Sequence, residues 1–151
     1  MQFTTSFAAL AAIVASVMPQ HASATPAPNI SILTESEMLT WLTTTNATLT
    51  FIGEPIPKAA DLRARVGGNV MVTYCNRRTN NVCGGDCTVY NGGATCLNAP
   101  DTVCLSATAN VGFCDRGGCG GSCNQFSSCG TRLDNNFCFT PGTASIIVPF
   151  V

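Results

Sequence analysis

The chain is predicted to fold as a small disulfide-rich protein, turn-rich with short β-strands, in which a duplicated five-cysteine unit follows a short helix and strand. Three observations carry that expectation. All ten cysteines fall between Cys75 and Cys138. Five Gly-Gly pairs (67–68, 84–85, 92–93, 117–118 and 120–121) supply sharp turns and left-handed backbone positions. Charged residues make up 10% of the 151, against roughly 25% in an ordinary domain. The length suits one domain. A net charge of −1 leaves no basic face for nucleic acid and no cationic surface for membrane insertion.

Residues 1–24 read as a signal peptide. An apolar run from Phe7 to Met18 precedes Ala22-Ser23-Ala24, a small-x-small cleavage site. Its 12 residues fall short of the roughly 20 needed to cross a bilayer. The expected product begins at Thr25 and is secreted and extracellular. Cleavage removes His21, the single histidine. The mature chain then lacks the imidazole that Ser-His-Asp and Cys-His nucleophiles and most catalytic zinc sites require.

Residues 25–69 form a cysteine-free N-terminal segment rich in threonine. Thr34-Glu-Ser-Glu37 matches a capping box and predicts a helix to about Thr43. Met38, Leu39, Trp41 and Leu42 would be its apolar side. Trp41 reads either as a packing residue or as a ligand-stacking one. Leu49, Phe51 and Ile52 predict a short strand, stopped by Gly53 and Pro55. Asn29-Ile-Ser31 and Asn46-Ala-Thr48 are N-glycosylation sequons, which would place both asparagines on the surface. Lys58 to Gly68 reads as a linker. Within it Arg63-Ala-Arg65 leaves two readings open: a processing site making 25–65 a propeptide, or a solvated charge pair.

Residues 70–151 form the disulfide-rich domain, built of two repeats, 75–111 and 114–148. Cys75-Asn-Arg77 leads into Cys83-Gly-Gly-Asp-Cys87, with Cys96 and Cys104 after it. Cys114-Asp-Arg116 leads into Cys119-Gly-Gly-Ser-Cys123, with Cys129 and Cys138 after it. In an oxidising compartment these ten thiols read as five disulfides of undetermined pairing. Each unit holds an odd number, so complete pairing demands an odd number of bridges between units. The units must therefore form one stapled body. Metal binding by the Cys-x3-Cys pairs is not expected where thiols are oxidised. A dithiol catalyst would need Cys-x-x-Cys in a βαβ setting, and neither is present. Val70–Cys75 and Ala144–Val148 are the clearest strands, with Pro149 ending the second.

Without histidine, catalysis would fall to the carboxylates. No pair among Glu35, Glu37, Glu54, Asp61, Asp86, Asp101, Asp115 and Asp134 is nominated by spacing. Asp86 and Asp115 beside the Cys-Gly-Gly loops read as turn formers. No enzyme, cofactor or metal site is expected. Cys123-Asn-Gln-Phe-Ser-Ser-Cys129-Gly-Thr, running on to Phe137-Cys138, is similar to the Cys-Ser-Gln-Tyr/Phe stretch of hevein-type chitin-binding domains. That likeness implies sugar contacts at Gln125, Phe126 and Phe137. It departs from the family in lacking an adjacent Cys-Cys pair and in carrying Ser128 where an aromatic is usual. The other reading makes Phe126 and Phe137 the small core.

Over most of the mature length the chain resembles the small secreted cysteine-rich proteins of mushroom-forming fungi. The carriers are Trp41-Leu-Thr-Thr-Thr-Asn-Ala-Thr-Leu-Thr-Phe-Ile-Gly53, Tyr74-Cys-Asn-Arg77, Cys87-Thr-Val-Tyr-Asn-Gly-Gly-Ala-Thr-Cys96 and Cys114-Asp-Arg-Gly-Gly-Cys-Gly-Gly-Ser-Cys123. The resemblance implies an effector-like, non-enzymatic interaction protein, with an extracellular protein or wall polysaccharide as partner. The alternative is a module binding chitin or another wall polymer.

Overall fold

Thr34 caps the first helix as the local code demands. The Glu37 backbone N–H donates to Thr34 Oγ1 at 3.2 Å, and the Thr34 N–H donates to the Glu37 carboxylate at 2.8 Å. This reciprocal box opens α1, Glu35–Thr44. Toward its end, the hydroxyls of Thr40, Thr43 and Thr44 donate to carbonyls one turn back. Such bonds compete with helix propagation, and the chain is extended by Thr45. The structure, a computed structural model, describes residues 32–58 and 68–151. The expected signal peptide, the Asn29 sequon and Arg63-Ala-Arg65 lie outside the described residues.

Seven strands follow: β1 Thr48–Gly53, β2 Val70–Thr79, β3 Val82–Gly92, β4 Thr95–Ala107, β5 Gly112–Arg116, β6 Gly120–Gln125 and β7 Cys138–Val148. They make one sheet in the order β1-β3-β2-β4-β7-β5-β6. β1 lies parallel to β3, and every other pairing is antiparallel. β1 and β6 are therefore the edges.

Four of the seven strands correct the expectation of short ones, which β1, β5 and β6 meet at 6, 5 and 6 residues. β2, β3, β4 and β7 run 10, 11, 13 and 11 residues. Gly84-Gly85 and Gly120-Gly121 sit inside β3 and β6 instead of making sharp turns. The reason is a bulge. The β2–β3 register shifts between Cys75 and Arg77, and the β5–β6 register shifts between Cys114 and Arg116. Opposite each shift stands a glycine with left-handed backbone, Gly85 (φ 83°) and Gly121 (φ 76°). A Cβ there would strike the side chains of Asn76 and Asp115 respectively. Those side chains accept from the Asp86 and Ser122 N–H groups, at 2.9 and 2.8 Å. Glycine here bends a continuing strand rather than ending it.

Val70–Cys75 of β2 are buried on both faces, which sets the layering. Val70, Val72 and Tyr74 point into a cluster with Leu97, Leu105, Phe126 and Ile146. Met71, Thr73 and Cys75 point the other way, beneath α1. Met71 packs on Met38 and Leu33, and Thr73 Oγ1 donates to Met38 Sδ at 3.2 Å. Trp41 completes that side, gathered with Leu133, Phe137 and the cysteines 75, 83, 87 and 104.

All ten cysteines pair: Cys75–Cys87, Cys83–Cys104, Cys96–Cys119, Cys114–Cys123 and Cys129–Cys138. The first and third cysteines of each five-cysteine unit stand opposite one another across a hairpin, Cys75 with Cys87 and Cys114 with Cys123. The remaining cysteines of the two units pair differently. One bridge, Cys96–Cys119, crosses between the units, an odd number as parity requires.

Candidate functional site

Phe126 and Phe137 face inward. Phe126 is 0% exposed and Phe137 2%, and they belong to different core clusters. The Phe137 ring lies 4.8 Å from that of Trp41, tilted by 49°. Gln125 is exposed at the end of β6. The sugar platform expected from Gln125, Phe126 and Phe137 is thus not assembled, because both rings are committed to packing. Trp41 is buried too, and packs rather than stacks on a ligand. Asp86 and Asp115 close their loops: Asp86 Oδ2 accepts from Asn76 Nδ2 at 3.0 Å, and Asp115 Oδ1 holds the Ser122 N–H.

An exposed apolar surface lies between α1 and β1. Leu39 and Leu42 of α1 face Phe51 of β1 and the returning segment Ile56-Pro57 across a groove of about 570 Å3, with Lys58 also in its lining. Phe51 is 53% exposed and the neighbouring Ile52 38%. The wall at 54–57 is held by Asn91, a buried residue of β3. Its backbone carbonyl accepts from the Glu54 N–H at 2.7 Å. Its side-chain amide donates to the carbonyls of Glu54 and Pro55, at 3.3 and 2.8 Å. The rim hydroxyls of Thr40 and Thr43 are turned back onto helix carbonyls, so they add little polarity. Among the described residues, β1 itself pairs with β3 on one side only.

A second concavity is polar. β1 begins opposite Asp86, whereas β3 begins four residues earlier at Val82. Among the described residues, the β3 edge over 82–85 on the β1 side therefore has no strand beside it. Asn46, Arg77, Asn80, Val82, Gly84 and Asp86 are among the residues around this cleft of about 610 Å3.

Burial pushes the Tyr74 phenol up, against a hydrogen bond with Thr88 that pulls it down. Burial and then the Glu54 charge push Tyr90 up, while its hydroxyl donates to the Gly93 carbonyl at 2.7 Å.

No family model, curated protein or solved structure matches this chain. The two concavities must speak for themselves. Sequence reasoning missed the groove although its residues were visible. The available signal was Phe51-Ile52: two adjacent large apolar residues in a strand point to opposite faces, and an edge strand can cover only part of either. Asn91 gave no signal, since Asn before Gly-Gly reads as a turn.

Proposed function

We propose that the protein is a secreted, disulfide-stabilised binding protein of the effector-like class, without catalytic machinery, that takes an extended apolar segment of a protein partner onto its α1–β1 face. The carrying observation is an apolar groove, with Phe51 half exposed, running beside the edge of β1 that no strand among the described residues pairs. A strand added at β1 would satisfy its free backbone groups, and alternate side chains of that strand would reach the groove. β1 is Thr-Leu-Thr-Phe-Ile-Gly, with none of the Lys or Pro that commonly guard an edge. Five disulfides support an extracellular setting, and among the described residues no helix is long and apolar enough to cross a membrane. The likeness to small secreted fungal proteins supports the same class. The shared bulged hairpins support reading the two cysteine units as a duplication.

Selection from a displayed library of random seven-residue peptides tests the face. Bound peptides should alternate apolar and polar residues and perturb NMR signals at 39–42 and 48–58. Phe51→Asp should abolish that binding while leaving the melting curve unchanged. Retention on chitin or wall glucan that survives Phe51→Asp, with no peptide enriched, would replace this reading by the polysaccharide one.

A further inference from the structure

We infer that Asn46 carries an N-linked glycan whose first N-acetylglucosamine lies in the polar cleft beside the β2–β3 hairpin, so that the sugar occupies the place an eighth strand segment would take along β3. The inference rests on the secreted reading, since the sequon is used only along that route.

Asn46 is exposed in the short connection between α1 and β1, and Thr48 of its sequon is the first residue of β1. The connection is shaped by Thr45, whose hydroxyl accepts from the Ala47 N–H at 3.2 Å. Asn46 lines the cleft two residues before Thr48 pairs with Asp86, so a sugar joined to its amide starts beside the β3 edge. The cleft volume falls within the roughly 300–1,000 Å3 of sites that hold small ligands. Its chemistry suits an N-acetylhexosamine. The Arg77 guanidinium and the Asn80 amide offer donors to ring hydroxyls and the acetamide oxygen, and the Asp86 carboxylate accepts. Val82, 53% exposed, is an apolar patch for the acetyl methyl group.

Gly84 provides the probe. Its backbone needs no left-handed conformation, and a Cβ there would meet nothing within 4 Å. A side chain at 84 is therefore tolerated by the protein alone but competes with a sugar lying along the edge.

The experiment uses the full chain expressed in a glycosylating eukaryotic host and recovered from the medium, with glycans trimmed to a single N-acetylglucosamine. Glycopeptide mass should place the sugar on Asn46. Hydrogen exchange at residues 82–86 should be slower than in Asn46→Gln, and the Asn46→Gln melting point should be about 4 °C lower. Gly84→Val should reproduce both losses in the glycosylated protein and change nothing in the Asn46→Gln background. Asn46 occupied but with unaltered exchange at 82–86 overturns the inference, as does an equal effect of Gly84→Val in both backgrounds. Recovery from the medium with Asn46 bare overturns it while leaving the secreted reading standing. Failure to reach the medium removes both.

Discussion

Phe126 shows how little a single residue reveals of its role. Cysteine-rich loops expose aromatics in sugar-binding modules and bury them in minimal cores, and the local sequence is compatible with either. Here the Phe126 N–H donates to the Val111 carbonyl at 2.8 Å, which pins the ring into the cluster with Leu105 and Ile146. Phe126→Ala should cost about 3–5 kcal/mol in chemical denaturation, moderated by the nearby bridges. Gln125→Ala, on the exposed side, should stay within about 0.5 kcal/mol. A wild-type midpoint for Phe126→Ala would show that the ring is not core. The inward turn of Phe126 was not legible, because it depends on Leu105 and Ile146, which lie about twenty residues away on either side.

Among the elements, α1 is the most legible and β1 the least. The capping box spans four residues, so sequence alone places the helix start. Thr34→Ala should destabilise by about 1 kcal/mol, read as a lowered thermal midpoint. The Thr34 backbone and hydroxyl hydrogen bonds hold the Glu37 carboxyl below its ordinary 4.5. A lowered folded-state value means that this contribution is present above the unfolded value and fades as pH falls through the folded one. Glu37→Gln should therefore flatten the loss of stability on the acid side of about pH 4.5 while changing the neutral-pH midpoint less than Thr34→Ala does. Equal pH profiles for wild type and Glu37→Gln would exclude the carboxylate from the cap. β1 was readable as a strand from Leu49, Phe51 and Ile52. Its parallel seat against β3 was not, since parallel partners join through long connections and carry no turn signature.

For the whole molecule, the cross-link Cys96–Cys119 ties the halves covalently. Cleavage introduced between Cys104 and Cys114 should leave one species on a denaturing, non-reducing gel. The same cleavage in a Cys96→Ser, Cys119→Ser chain should give two, because the other four bridges close within a half. That double substitution should also cost about 3 kcal/mol, as expected for a loop closed over 23 residues. Two fragments from the wild-type chain would refute this pairing.

Counting and short spacing carried the legible part. Parity required an odd number of inter-unit bridges, and Pro149 marked the end of β7. Each depends on residue totals or on contacts within four positions, where the chain has few alternatives. Connectivity had roughly nine times the 105 pairings open to eight thiols, and only sheet register chooses among them. Cys75 finds Cys87 because β2 and β3 align them across a bulge that Gly85 permits. The groove and the cleft beside the β3 edge follow from β1 coming to rest opposite Asp86 and not Val82. That offset is set by the packing of α1 on Met71 and by the grip of Asn91 on residues 54–55, interactions spanning more than thirty residues, for which no local pattern exists.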